Sequence, residues 1–224
     1  MNFRYACPGC GPSKCLETPI VYVVDSDPAA RDALETLIRS AGVTPRSSSS
    51  AEEFLAGSRT MTPCCLVVEL RLPGASGLEL QRRVRERAEM PVIFMSREPD
   101  VPATVQAMKG GALEFLTKPL VDEVLLNAIG NALERSHAAL RQLARIRALH
   151  ERYESLSRRE REVMSLIVCG RLNKQVGGEL GISEITVKAH RGKMMRKMQA
   201  ASFAELVNMA ASLQPAAHAR GALP

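Results

Sequence analysis

The sequence contains no run of about 18 apolar residues, so a membrane-crossing helix is not expected. Its first 20 residues lack the basic-then-apolar order of a secretory leader. A cytoplasmic location without membrane contact is the expectation. The six cysteines, Cys7, Cys10, Cys15, Cys64, Cys65 and Cys169, are then reduced thiols and not a disulfide framework. Catalytic pairings are scarce as well. No histidine occurs before His137, so Ser26, Ser96 and Lys118 have no His partner in the segment, and no enzyme is expected. Nor is there net charge over the first 156 residues, where 19 Lys and Arg meet 19 Asp and Glu.

What is present is soluble in character. The chain has 224 residues, 46% hydrophobic and 24% charged, enough for one large or two modest domains. From Ser157 onward, 11 Lys and Arg stand against 5 Asp and Glu, so the whole excess of +6 lies in the last third. A compact basic segment attracts polyanions because its cations displace counterions from phosphates. A solvated basic tail has the same bias, so local pattern must decide.

After residues 1–18, which are rich in Gly, Pro and Cys, a regular alternation begins. Ile20-Val21-Tyr22-Val23-Val24 reads as a buried strand, and Asp27-Pro28 as an N-cap and first helical position. That helix carries Leu34, Leu37 and Ile38 and ends at Gly42. The unit recurs: Cys65-Leu66-Val67-Val68 precedes a helix with Leu78, Leu80 and Val84, and Val92-Ile93-Phe94-Met95 precedes one near Val101–Lys109. Residues 112–116 lead through Lys118-Pro119 to a helix from about Val121. Short apolar strands alternating with amphipathic helices predict a parallel sheet covered on both faces. Ligands collect at the carboxyl ends of such strands, here Asp25, Ser26, Glu69, Ser96 and Lys118. Residues 131–153 have neither Gly nor Pro and predict a helical connector.

Beyond Leu156 the pattern is purely helical. Ser157 and Glu160 form a capping box, and the helix they start stops at Gly170. A short helix over Asn173–Leu180 follows, then a turn at Gly181 and a third helix capped by Ser183. Val187, Met194 and Met198 make its buried stripe. Ile185, Lys188, Ala189, Gly192 and Arg196 fall opposite, with Lys193 beside them. This face reads as basic, small and free of acids, acceptable to a DNA major groove. Gly192 costs about 1 kcal/mol against Ala in mid-helix. It is either a point of close DNA approach or a tolerated surface glycine. His190 borders the buried stripe, and Lys174 opens the second helix as a phosphate-contact candidate. A fourth helix over Phe203–Leu213 closes the core.

Leu156-Ser157-Arg158-Arg159-Glu160, Asn173-Lys174-Gln175-Val176 and Gly181-Ile182-Ser183-Glu184-Ile185-Thr186-Val187-Lys188-Ala189-His190-Arg191 strongly resemble the LuxR-type helix-turn-helix. The resemblance implies Lys188, Ala189 and Gly192 at base edges, with Lys174 and Thr186 on the backbone of double-stranded DNA. Residues 19–138 resemble a response-regulator receiver of the FixJ type. That resemblance rests on Val23-Val24-Asp25, Glu69-Leu70-Arg71-Leu72-Pro73-Gly74 and Phe115-Leu116-Thr117-Lys118-Pro119. It implies an α/β, doubly wound, five-stranded parallel sheet (CheY-like, flavodoxin-like), followed by an all-α four-helix DNA-binding domain. It further implies a homodimer, RNA polymerase as a partner and a histidine kinase as donor, with Ser96, Phe115 and Lys118 as switch residues.

The departures are specific. Glu69 stands where the family has its phosphorylated aspartate, and Ser26 replaces one of two metal-holding acids. Asp25 and Glu69 alone form a poor Mg²⁺ cage, and no phosphorylation is expected. Three readings follow: Glu69 imitates a phosphoryl group beside Ser96 and Lys118, the receiver persists as an inert dimerisation module, or residual phosphorylation remains. A conventional kinase-switched regulator and a receiver-based protein-interaction adaptor are the competing functions.

Cys7, Cys10 and Cys15 give C-x₂-C-x₄-C, read as an unstructured leader, a metal or haem site, or a redox switch, with Cys64 or Cys65 the available fourth ligand. The boundaries are a Cys-containing extension (1–18), the receiver (19–138), a helical linker (139–155), the helix-turn-helix domain (156–213) and a tail (214–224).

Overall fold

The computed structural model describes residues 18–57, 60–98 and 100–213. Five parallel strands lie in the order β2-β1-β3-β4-β5. They are β1 (Ile20–Val24), β2 (Thr44–Ser48), β3 (Cys64–Glu69), β4 (Val92–Ser96) and β5 (Glu114–Thr117). The last strand thus starts two residues later than its apolar run implied. Central β1, β3 and β4 are buried along their whole length, because helices cover both faces. Edge strand β2, Thr-Pro-Arg-Ser-Ser, is only partly covered, and its proline is tolerated at an edge.

The period of two in the strands sorts side chains between two cores. Tyr22, Leu66, Val68 and Phe94 pack beneath α2 (Ala51–Ala56), α3 (Gly77–Val84) and α4 (Val101–Lys109). Val21, Val23, Val67, Ile93 and Met95 pack beneath α1 (Pro28–Ser40) and the first part of α5 (Asp122–Glu154), which contributes Leu125, Ile129 and Leu133. Asp27 caps α1 by accepting from the Ala29 amide at 3.0 Å, as its position before Pro28 predicts.

The chain divides into two compact units between Arg141 and Gln142, both inside α5. The second unit holds the end of α5 with α6 (Arg158–Val168), α7 (Asn173–Leu180), α8 (Glu184–Met198) and α9 (Phe203–Leu213). Residues 139–155 are more than a connector there: Leu149 is buried with Leu156, Met164, Met194, Met198 and Leu206, and Tyr153 packs against them. Among the described residues, no helix is long and apolar enough to cross a membrane.

Candidate functional site

Strand order reverses between β1 and β3, and in a doubly wound sheet that reversal opens a crevice at the carboxyl ends of the strands. Four of the residues singled out there converge on it. Asp25 follows β1, Glu69 ends β3, Ser96 ends β4 and Lys118 follows β5. Lys118 Nζ donates to Asp25 Oδ2 at 2.6 Å and pairs on its other side with Glu69 Oε2. All three side chains are nearly enclosed, with 11%, 2% and 10% exposed for lysine, aspartate and glutamate.

Burial alone pulls the Lys118 pKa down, but the hydrogen bonds and charges of Asp25 and Glu69 outweigh it, and the net shift is upward. The ammonium therefore stays charged through the physiological range. The remaining Asp25 oxygen accepts from the Asp27 amide at 2.9 Å. Beyond capping α1, Asp27 pairs with Arg97 at 2.6 Å, at the rim of the same crevice.

These residues do not fit Mg²⁺. The position between the two carboxylates is taken by an ammonium, and Ser26, where a second acid is needed, is exposed. The reach expected of Glu69 is also only half made. It meets Lys118, whereas Ser96, 1% exposed, makes no side-chain hydrogen bond among the described residues. Phe115 is half-buried and stacks on Phe94, with centroids 6.1 Å apart and rings inclined 20°.

Cys64 and Cys65 are unsuited to the role of fourth ligand. Both are fully buried, one in each core, and burial pushes the Cys65 thiol far above its ordinary pKa. No group of three or more metal-ligating side chains occurs among the described residues, and Cys7, Cys10 and Cys15 lie outside them.

In the second unit the capping box forms as the sequence implies. Glu160 Oε2 accepts from the Ser157 amide at 2.8 Å and Ser157 Oγ from the Glu160 amide at 3.2 Å. The turn between α7 and α8 is tight. Gly181 adopts φ 66°, and a Cβ on Gly177 would lie 2.7 Å from the Ile182 carbonyl oxygen. Ser183 Oγ accepts from the Thr186 amide at 3.1 Å and shares a hydrogen bond with the Thr186 hydroxyl. Val187, Met194 and Met198 are fully buried, and Ile185, Lys188, Ala189, Gly192, Lys193 and Arg196 are exposed on the other side. That face is not free of acids: Glu184, one turn before Lys188, pairs with it at 3.1 Å.

Most cations of this unit have partners within the chain. Lys197 pairs with Glu160, Arg158 and Arg159 with Glu162, and Arg171 with Glu179. Arg161 reaches backbone carbonyls and the Tyr153 ring, and Arg191 lies over Phe203. Among the described residues from Ser157 onward, Lys174, Lys193 and Arg196 alone among Lys and Arg form no such contact. All three belong to the set expected at DNA.

Two protein-family descriptions match the sequence. "Response regulator receiver domain" matches residues 21–130, and "Bacterial regulatory proteins, luxR family" residues 154–210. The chain is 44% identical over 198 residues to nodulation protein W of Bradyrhizobium diazoefficiens, covering 87% of this chain and 86% of that protein. It is 41% identical over 191 residues to the transcriptional regulatory protein FixJ of Azorhizobium caulinodans, covering 85% and 90%. A solved structure of the response regulator StyR superposes with a TM-score of 0.77 at 39% identity, covering 87% of this chain and 99% of that one.

Proposed function

Because the chain belongs to the FixJ-type response regulators, in which a receiver domain precedes a LuxR-type DNA-binding domain, we propose that it is a transcription factor whose receiver is set by a built-in ion cluster and not by phosphorylation. The observation that carries this reading is the Lys118 ammonium shared between Asp25 and Glu69. Phosphoryl transfer needs positive charge free to meet the charge developing on the transferred group. Here that charge is already neutralised by two buried carboxylates, and Glu69 is held as an ion-pair partner. Glu69 thus stands as a permanent partner for Lys118, leaving Ser96 unengaged.

DNA is bound through α7 and α8 in the cytoplasm, with RNA polymerase as the downstream partner and any histidine kinase acting without phosphoryl transfer. A second copy of the chain is the proposed partner of the receiver. Val101, Val105 and Met108, 77%, 44% and 43% exposed along α4, form an apolar strip suited to it.

The test is incubation with acetyl phosphate and Mg²⁺, followed by intact-mass measurement and DNA retention. No phosphoryl adduct and unchanged retention are expected, while Glu69→Asp with Ser26→Asp gains the adduct. An adduct on the natural sequence that tightens DNA binding overturns the proposal. Glu69→Ala then separates two roles: weaker DNA binding marks a phosphoryl mimic, and unchanged binding a dimerisation module.

A further inference from the structure

The most exposed large apolar side chain of the described residues is Ile185, at 79%, and it lies in the first turn of α8. At roughly 100° per residue, Met194 falls opposite Ile185, whereas Gly192 and Arg196 fall within roughly 20° of it. Ile185 therefore marks the middle of the outward face and is not an edge residue that happens to be uncovered. Lys188 and Ala189 flank it on the next turn.

The flanking residues shape what Ile185 can reach. A Cβ on Gly192 meets nothing within 4 Å, so packing within the chain does not require glycine there. Ala189 and Gly192 together make the middle of the face shallow, which lets the helix sit deep in a groove. Lys188, the polar neighbour, is partly occupied by Glu184. What leads into the groove at the amino end of the helix is therefore a branched hydrocarbon.

The major groove offers one apolar group that such a side chain can recognise, the C5-methyl of thymine. Residues at the amino end of a recognition helix are the ones that meet base edges. We infer that Ile185 is a specificity-determining residue, selecting a thymine methyl in the operator by apolar contact. The inference rests on the DNA-binding reading of α8 and is independent of how the receiver is controlled.

The experiment uses the full chain. Its preferred duplex is selected from a random pool, and each thymine is then replaced singly by deoxyuridine, which keeps the hydrogen-bonding edge and removes the methyl. One position in each half-site is expected to cost the natural protein about fourfold in affinity, the loss for one buried methyl-sized group. In Ile185→Ala the same replacement costs nothing further, and Ile185→Leu restores part of the penalty. Ile185 is exposed, so the alanine variant keeps its melting temperature. A uracil penalty equal in both proteins, or none at any thymine, overturns the assignment while leaving DNA binding intact. Failure to select any preferred duplex overturns the DNA-binding reading itself.

Discussion

Removing the Lys118 ammonium leaves Asp25 and Glu69 facing each other with no counter-charge, in a crevice where all three side chains are nearly enclosed. Uncompensated buried charge is far costlier than a missing surface ion pair. Lys118→Met is expected to destabilise the receiver by about 3–5 kcal/mol, read as a lower urea midpoint. Glu69→Gln keeps the Lys118–Asp25 pair and loses less. A Lys118→Met protein as stable as the natural one refutes the ion cluster as the organising feature of the crevice. The three partners were each visible in the sequence as strand-end residues. Their convergence was not, because 93 residues separate Asp25 from Lys118 and only the strand order brings them together. Nor did position in the motif reveal that Glu69 turns to Lys118 and not to Ser96, which depends on side-chain reach.

At the scale of single elements, legibility followed periodicity. After Leu156, α6 and α8 start at serine caps and α6 and α7 stop at glycines, and the observed bounds match what those signals imply. By contrast β2 carries little such signal, while α2 has a cap at Ser50 and a stop at Gly57 but only six residues, too few to show a helical period. Thr44–Ser48 has no apolar alternation, since an edge strand needs backbone pairing with β1 more than a buried face. The capping box of α6 shows what a recognised signal contributes. Glu160 is buried at 3% exposure and receives the Ser157 amide and Lys197 Nζ, the latter at 2.6 Å. Burial raises its pKa, but the contacts with Lys197 and Ser157 prevail and hold it below the ordinary glutamate value of 4.5. A group whose pKa is lowered by folding adds stability above its unfolded value, and that stability disappears as pH falls through the folded one. Glu160→Gln can keep the capping box but loses the ion pair with Lys197, and is therefore expected to lower the melting temperature at pH 7, by about 1 kcal/mol of stability. The gap to the natural protein then closes progressively below pH 4.5. A gap that persists undiminished at pH 2–3 assigns the loss to packing and not to the carboxylate.

For the molecule as a whole, formal charge overstates what is available to DNA. The sequence places 11 Lys and Arg from Ser157 onward, yet Lys197, Arg159, Arg161 and Arg191 are tied to other parts of the fold, while Arg158, Arg171 and Lys188 hold only exposed, weak ion pairs. Counting charges in the sequence cannot separate these two populations, because pairing is a property of packed helices. Affinity for duplex DNA falls with salt at a slope of about 0.9 per phosphate neutralised. If Lys193 and Arg196 each meet a phosphate, Lys193→Gln with Arg196→Gln reduces that slope by about 2 per bound domain and leaves the melting temperature unchanged. Arg159→Gln with Arg161→Gln removes an equal formal charge from side chains that donate to backbone carbonyls, Arg159 to Leu180 at 2.6 Å and Arg161 to Leu156 at 3.1 Å. It lowers the melting temperature and leaves the slope near that of the natural protein. Binding measured between 50 and 200 mM salt distinguishes the two. If both substitutions flatten the slope alike, net charge governs binding, and the division into structural and DNA-facing cations fails.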